Sequence, residues 1–251
     1  MAKVETCIPV EVGEVMSTIR KRIGFDVDGV LADFVSAFTG LAVDLGVAKE
    51  VTMPENQQSW EFDFDTNLVW KTIKATPNWW MTLEPLVTYD EIVLLNKLIE
   101  SNSVYFITNR GRTRGLGIED QTRHWLHSMG IKAEHVIATK RKGALAKALD
   151  LQWFVEDSLT NLQDIQDNGV LAIARQWPHN KQWTPYTTSL VNLLDRQVVT
   201  HQRTDSTIST ISGNTRSYSA FIALETYNLT DITLATIKGK SAHWTDWFVT
   251  E

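Results

Sequence analysis

Short apolar runs that alternate with helical patterns constrain the fold of this chain more than any other feature. Runs of this kind lie at about residues 22–28, 104–107, 136–138, 153–155 and 170–173. A strand that is apolar on both faces is expected where helices cover both sides of a sheet. Strands that alternate with helices indicate a parallel sheet with right-handed crossovers. We therefore predict an α/β fold, a Rossmann-like parallel sheet flanked by helices.

Apolar residues at three- and four-residue steps predict the helices between these strands. The predicted helices cover about residues 34–45, 88–101, 118–129, 142–149 and 158–167. Thr88 and Glu91 have the spacing of a capping box at the start of the second of these helices. Gly46 and Gly130 stand where the first and third should stop.

The segment between the first strand and the second predicted helix has a different character. It is rich in aromatic residues and contains Pro54, Pro77 and Pro85. We predict a small, mostly helical cap inserted after the first strand, at residues 34–87. The core would then comprise residues 22–33 and 88–200, with a lead-in at 1–21. Residues 201–251 form a C-terminal extension of unknown role, within which the Ser- and Thr-rich stretch 203–219 indicates a linker or an exposed loop.

The composition excludes several classes of protein. The chain has 251 residues, 43% of them hydrophobic, and a formal net charge of −6. A net negative charge argues against a general nucleic-acid binder. The single cysteine, Cys7, cannot form an internal disulfide, and no zinc cluster is evident. With neither a signal-peptide core nor a run long enough to span a membrane, we expect a cytoplasmic protein without a membrane partner.

The first apolar run ends in the string Asp26-Val27-Asp28-Gly29. In an extended strand, residues i and i+2 point the same way, so both carboxylates would lie at the carboxyl edge where α/β sheets bind ligands. Neighbouring carboxylates repel each other, and a shared proton or a bound cation relieves that repulsion. The string predicts a nucleophile, a proton donor and a place for a hard cation such as Mg²⁺. A surface turn with acidic residues is the alternative.

Two further apolar runs also end in polar residues, and this favours a site over a turn. Thr108 and Asn109 follow the second run, and Glu156 and Asp157 follow the fourth. In a parallel sheet these ends converge on one edge. A lysine also arrives between the second and fourth runs, with Lys140, Lys142 and Lys147 as the candidates.

This order of motifs resembles the haloacid dehalogenase superfamily of phosphohydrolases. The matching elements are the D-x-D-G string, the strand that ends in Thr108, Lys142 at a helix start, and the acidic pair Glu156-Asp157. Within that superfamily the chain is similar to the 5'(3')-deoxyribonucleotidase family, at residues 26–34 (DVDGVLADF), 78–86 (NWWMTLEPL) and 176–180 (QWPHN). The fourth motif departs from the usual Asp-Asp pair, and residues 109–112 are more basic than usual.

The resemblance implies a covalent mechanism with one metal ion. Asp26 would attack phosphorus and form an aspartyl-phosphate. Asp28 would protonate the leaving alcohol and then activate water. Mg²⁺ would be held by the Asp26 carboxylate, the Asp28 backbone carbonyl and Asp157.

The resemblance also implies which residues bind the substrate. Thr108 and the Asn109 amide would hold phosphate oxygens, and Lys142 would neutralise charge on the intermediate. Trp79 and Trp80 are candidates to line a pocket for the base, with at least one of them stacking on it and core packing as the alternative. Arg110, Arg112 and Arg114 form a basic loop that we expect to be solvated, with Arg110 as the candidate for contact with substrate.

The function implied is hydrolysis of nucleoside monophosphates by a Mg²⁺-dependent 5'-nucleotidase, with deoxyribonucleotides among the candidate substrates. Three alternatives stay open: a polynucleotide end phosphatase, a sugar-phosphate phosphatase, and a catalytically weak binding module. The partner expected is a small phosphomonoester rather than a nucleic acid. A homodimer is one candidate for the oligomeric state, which the sequence does not determine.

Overall fold

The computed structural model describes residues 20–49, 62 and 64–195. Within this part of the chain, six strands form one sheet in the order β3-β2-β1-β4-β5-β6, and every neighbouring pair is parallel. The strands are β1 (Arg22–Phe25), β2 (Ser103–Thr108), β3 (His135–Ala138), β4 (Trp153–Glu156), β5 (Leu171–Arg175) and β6 (Tyr186–Thr187). The predicted α/β fold with a parallel sheet is confirmed.

Helices connect the strands and flank the sheet. They are α1 (Phe34–Asp44), α2 (Thr66–Ala75), α3 (Tyr89–Ser101), α4 (Ile118–Ser128), α5 (Lys142–Ala148) and α6 (Leu159–Asp167). Short 3₁₀ helices lie at Trp79–Met81 and Pro178–Asn180, and residues 190–195 are helical. The predicted capping box is present at the start of α3, where the Thr88 amide donates to Glu91 and the Glu91 amide donates to the Thr88 hydroxyl.

The two faces of the sheet carry separate hydrophobic cores because side chains alternate along each strand. Phe106 and Val155 lie in the larger core, which also contains Leu95 of α3 and Trp125 of α4. The neighbouring residues Ile107 and Phe154 lie in a smaller core with Leu162 and Ile165 of α6. Burial on both faces explains why the strands are continuously apolar in sequence.

The first strand is shorter than predicted and ends at Phe25 rather than at residue 28. The chain leaves the sheet after Asp26, whose amide donates to the carbonyl of Val155. It then forms a tight turn in which the amides of Leu31 and Ala32 both donate to the carbonyl of Val27. The expectation that Asp26 and Asp28 share one face of an extended strand is therefore wrong, although both side chains line the same cavity.

The sequence patterns missed β6, which has only two residues and so carries no readable alternation. Most of the predicted lead-in and the whole of the extension at 201–251, including the Ser- and Thr-rich stretch, lie outside the described residues. Among the helices of the described part, none combines the length and apolar character needed to cross a membrane.

Candidate active site

The polar residues at the carboxyl ends of β1, β2 and β4 meet in one cavity with an aromatic wall. The floor of the cavity is polar and consists of Asp26, Asp28, Thr108, Asn109, Lys142, Glu156 and Asp157. The wall is aromatic and consists of Phe34, Phe38, Phe62, Trp70 and Trp80. The structure thus brings together every predicted site residue except Trp79 and Arg110, which do not line the cavity.

Lys142 is the first residue of α5, and its ammonium group joins two carboxylates at the floor of the cavity. Its Nζ lies 2.6 Å from Asp26 Oδ2 and 2.7 Å from Glu156 Oε2, and its side chain is 2% exposed. Burial alone would lower the pKa of Lys142, but the two carboxylates raise it above its ordinary value. The competing candidates Lys140 and Lys147 are both exposed. Lys142 is therefore the lysine that the fold directs into the site.

Glu156 holds this lysine and is itself fully engaged. Its Oε1 accepts hydrogen bonds from the amides of Asp157 and Ser158 and from the Asn161 side chain, at 3.1–3.2 Å. Its Oε2 accepts from Lys142. Burial alone would raise the pKa of Glu156, but the Lys142 ammonium lowers it below its ordinary value. Glu156 is therefore an anion that fixes the position of Lys142.

Asp26 and Asp157 are buried carboxylates whose negative charge is less fully balanced by neighbouring donors than that of Glu156. Oxygens of Asp26, Glu156 and Asp157 all lie within 4.8 Å of one another. Burial raises the pKa of Asp26 well above its ordinary value, with a further contribution from Glu156 and an opposing one from Lys142. Burial likewise raises the pKa of Asp157, again with the charge of Glu156 adding to the effect. One ammonium faces three carboxylates here, and a hard cation would relieve the remaining repulsion.

Asp157 is held in place by contacts to its backbone carbonyl and to its carboxylate. Its carbonyl accepts a hydrogen bond from Asn180 Nδ2 at 2.7 Å and lies 3.0 Å from His179 Nε2. Its carboxylate packs against Gly29, where the Oδ2 atom would lie only 2.1 Å from a Cβ atom. Gly29 also has a φ of +77°, which favours glycine. The glycine of the D-x-D-G string therefore makes room for the acid that follows β4.

Asp28 belongs to a different group of side chains from Asp26. Arg110 binds its carboxylate with a fork of two hydrogen bonds, from Nε to Oδ2 at 2.9 Å and from Nη2 to Oδ1 at 2.7 Å. Thr108, which is fully buried, donates from Oγ1 to Asp28 Oδ2 at 3.2 Å. Asn109 is exposed and lines the cavity beside them. The two acids of the string therefore face separate cations, Lys142 and Arg110.

The expectation of a solvated basic loop is wrong for Arg110. The Arg110 side chain is 0% exposed, whereas Arg112 and Arg114 are exposed as expected. Its guanidinium lies 4.9 Å from the centroid of a Trp80 ring, and Nη1 donates to Thr122 Oγ1. The spacing of the three arginines does not predict the burial of Arg110, because its partners Trp80 and Thr122 belong to other elements of the fold.

The aromatic wall comes from α1, α2 and the residues around them. Phe34 stacks on Trp70 with centroids 5.8 Å apart, and Phe38 packs on Trp70 at 5.1 Å. Both tryptophans expected at the pocket are buried in the larger core, but only Trp80 also lines the cavity. The sequence patterns do not identify the wall residues Phe34, Phe38, Phe62 and Trp70 one by one, although the high aromatic content of residues 34–87 is the signal that points to such a wall.

Comparison with known proteins adds similarity of structure but not of sequence. No family model matches the chain, and none of the curated proteins matches it. A haloacid dehalogenase-like family hydrolase from Streptococcus pneumoniae aligns with a TM-score of 0.45 and 12% identity, over 66% of this chain and 92% of that one.

Two other solved structures give comparable values. A HAD family hydrolase from Deinococcus radiodurans with bound phosphate and sodium aligns with a TM-score of 0.41 and 13% identity, over 62% of this chain and 80% of that one. The protein CbbY from Rhodobacter sphaeroides, in complex with xylulose-1,5-bisphosphate, aligns with a TM-score of 0.38 and 15% identity. The alignment covers 70% of this chain and 96% of that one. Likeness at this level assigns no activity, so the functional argument rests on the geometry of the cavity.

Proposed function

We propose that this protein is a Mg²⁺-dependent phosphomonoester hydrolase of the haloacid dehalogenase type that acts on nucleoside monophosphates through an aspartyl-phosphate intermediate. One observation carries the proposal: a single cavity joins the buried Asp26–Lys142 pair and Asp28 on its floor to an aromatic wall. The floor suits a phosphate ester, and the wall suits a flat base.

Asp26 is the nucleophile in this mechanism. A bond forms between an Asp26 carboxylate oxygen and phosphorus as the bond from phosphorus to the leaving alcohol oxygen breaks. The Asp26 carboxylate is already oriented, because Oδ1 accepts from the Val27 amide at 2.7 Å and Oδ2 accepts from Lys142. Lys142 would offset charge on the transferring phosphoryl group from a fixed position, which is the main way that proteins catalyse phosphoryl transfer.

Asp28 moves the protons. It gives a proton to the leaving oxygen in the first step and takes one from water in the second, when the water oxygen attacks phosphorus and frees Asp26. Asn109, at the end of β2, is proposed to hold a phosphate oxygen. The Thr108 hydroxyl has one proton and donates it to Asp28 Oδ2, so its proposed role is to position Asp28 rather than to bind phosphate. The sum of the two steps consumes one water and yields an alcohol and inorganic phosphate.

Asp26 and Asp157 are the residues that would hold Mg²⁺, because Glu156 is engaged by Lys142, two amides and Asn161. Oxygen donors suit this hard cation. When bound, Mg²⁺ would supply charge neutralisation at the phosphate. The Asp28 carbonyl remains the third proposed ligand.

A phosphate-release screen tests the proposal. The purified chain would be offered the common ribo- and deoxyribonucleoside monophosphates, ribose 5-phosphate and a 3'-phosphorylated oligonucleotide, each with Mg²⁺ and with EDTA. We expect the mononucleotides to be the best substrates and EDTA to abolish turnover. Preference for the oligonucleotide or the sugar phosphate would instead favour a polynucleotide end phosphatase or a sugar-phosphate phosphatase. Absence of all turnover would indicate a binding module.

Asp26→Asn is the matched inactive variant for this screen. The amide is nearly isosteric with the carboxylate but is a poor nucleophile, so turnover should fall by orders of magnitude while the fold is retained. Circular dichroism would check the fold. A variant that keeps more than about a tenth of the wild-type rate would contradict the covalent mechanism.

A further inference from the structure

Arg110 does not reach the cavity, although two of the residues that it contacts line it. Asp28 and Trp80 line the cavity and Arg110 lies behind them. Each of its three guanidinium nitrogens already donates a hydrogen bond, two to Asp28 and one to Thr122. A phosphate group could not reach this guanidinium without displacing Asp28. The geometry therefore does not suit the expected contact between Arg110 and substrate.

We propose that Arg110 is a positioning residue that fixes the Asp28 carboxylate for proton transfer, an inference that rests on the proposed function. A planar fork binds both oxygens of a carboxylate at once and so prevents its rotation, which a lysine cannot do. When Asp28 gives up its proton, the charge that it acquires also faces the guanidinium.

The contacts further select one oxygen of Asp28. An ionised carboxylate offers about two acceptor positions on each oxygen. Asp28 Oδ2 accepts from both Arg110 Nε and Thr108 Oγ1, so its positions are filled. Asp28 Oδ1 accepts only from Arg110 Nη2 among the described residues. Oδ1 is therefore the atom that carries the proton to the leaving group.

The surroundings of Arg110 hold it in this orientation. Thr122 donates its own hydroxyl proton to the carbonyl of Ile118, which turns an oxygen lone pair toward Arg110 Nη1. The Trp80 ring supports the guanidinium by a cation–π contact. Trp80 is fixed in turn by a hydrogen bond from its Nε1 to the carbonyl of Gly111 at 2.8 Å. One wall residue of the cavity thus supports the residue that orients Asp28.

The test compares Arg110→Met with Arg112→Met, an exposed position in the same loop. We expect Arg110→Met to lower kcat for a nucleoside monophosphate by roughly ten- to a hundredfold, less than the roughly 10²–10⁴-fold that general acid–base catalysis contributes in full, because Asp28 itself is retained. KM should change little, and Arg112→Met should match the wild type. Because p-nitrophenolate leaves without a proton, the first-turnover burst on p-nitrophenyl phosphate should stay within about threefold of wild type.

A double-mutant cycle decides whether Arg110 acts through Asp28. In an Asp28→Asn background, Arg110→Met should cause no further loss of kcat. Arg110→Lys, which keeps the charge without the fork, should show the same selective loss and serves if Arg110→Met does not fold. Thermal unfolding would be followed for each variant.

Three results would overturn the inference. A raised KM with an unchanged kcat would make Arg110 a substrate ligand. If the burst on p-nitrophenyl phosphate fell by the same factor as kcat for the nucleoside monophosphate, the link to proton transfer would be removed. Additive losses of kcat in the double mutant would remove the link to Asp28. These outcomes leave the wild-type phosphatase intact, whereas a wild type that turns over no phosphate ester would overturn the proposed function as well.

Discussion

At the scale of single residues, position 29 requires glycine for two reasons, its backbone conformation and its close packing against Asp157. Its φ of +77° is a conformation that residues with a Cβ atom rarely adopt. A Cβ atom there would also lie 2.1 Å from Asp157 Oδ2. Gly46 has a similar φ of +71° but open space where a Cβ atom would lie. A comparison of Gly29 with Gly46 therefore distinguishes the effect of backbone strain from the effect of displacing Asp157.

Gly29→Ala and Gly46→Ala should therefore differ in kind. Both should lose about 1–2 kcal/mol of unfolding free energy through left-handed strain. Only Gly29→Ala should also lose activity, because the Asp157 carboxylate must move to make room for the Cβ atom. Denaturant unfolding and phosphate release measured in parallel would check this. Full activity in a folded Gly29→Ala variant would show that the Asp157 position is not critical.

At the scale of elements, the segment between β1 and α3 contributes side chains that the sheet could not provide. Helix α2 places Trp70 at the cavity, where it packs against Phe34 and Phe38 of α1. Trp80 has a second contact, to Arg110, so changing it would disturb Asp28 as well. Trp70 is therefore the cleaner probe of base recognition.

Trp70→Ala should lower kcat/KM for a nucleoside monophosphate by about ten- to a hundredfold, since stacking contributes about 1–3 kcal/mol per base. Ribose 5-phosphate has the same leaving alcohol without the base, so its kcat/KM should hardly change. Trp70→Phe keeps an aromatic face and should restore most of the preference. Steady-state kinetics on both substrates measure the ratio, with thermal unfolding as the control for folding. Equal losses on both substrates would assign Trp70 to packing alone.

At the scale of the whole molecule, the parallel sheet brings the acidic groups together. Asp26 follows β1, and Glu156 and Asp157 lie at the end of the adjacent strand β4. Burial at this edge raises the pKa of both Asp26 and Asp157. The repulsion between these carboxylates is a stability cost of the metal-free fold that a cation would relieve.

Mg²⁺ should therefore stabilise the fold, independently of any assay of activity. At about 100 times its Kd, a ligand adds about 2.7 kcal/mol, which for a domain of this size corresponds to a rise in Tm of about 5–10 °C. Asp157→Asn should abolish most of this rise. Asp167→Asn, at an exposed position of α6, should retain it. Differential scanning fluorimetry with Mg²⁺ and with EDTA would measure both; an equal rise in the two variants would place the cation elsewhere.

The sequence alone determined the layers of the fold and most residues of the floor. Strands buried on both faces leave continuous apolar runs, and the capping box at Thr88 depends on residues only three positions apart. The order of the strand ends then predicted Asp26, Thr108 and Asp157 at one edge, because parallel strands expose their carboxyl ends together. The family resemblance added Lys142.

Only the tertiary structure decided how those residues are paired. Arg110 and Asp28 are 82 positions apart, and no local pattern indicates that one is buried against the other. Trp79 and Trp80 are adjacent and chemically identical, yet only Trp80 lines the cavity. These assignments depend on which side chains from distant elements meet in three dimensions, and a local pattern of residues carries no record of such contacts.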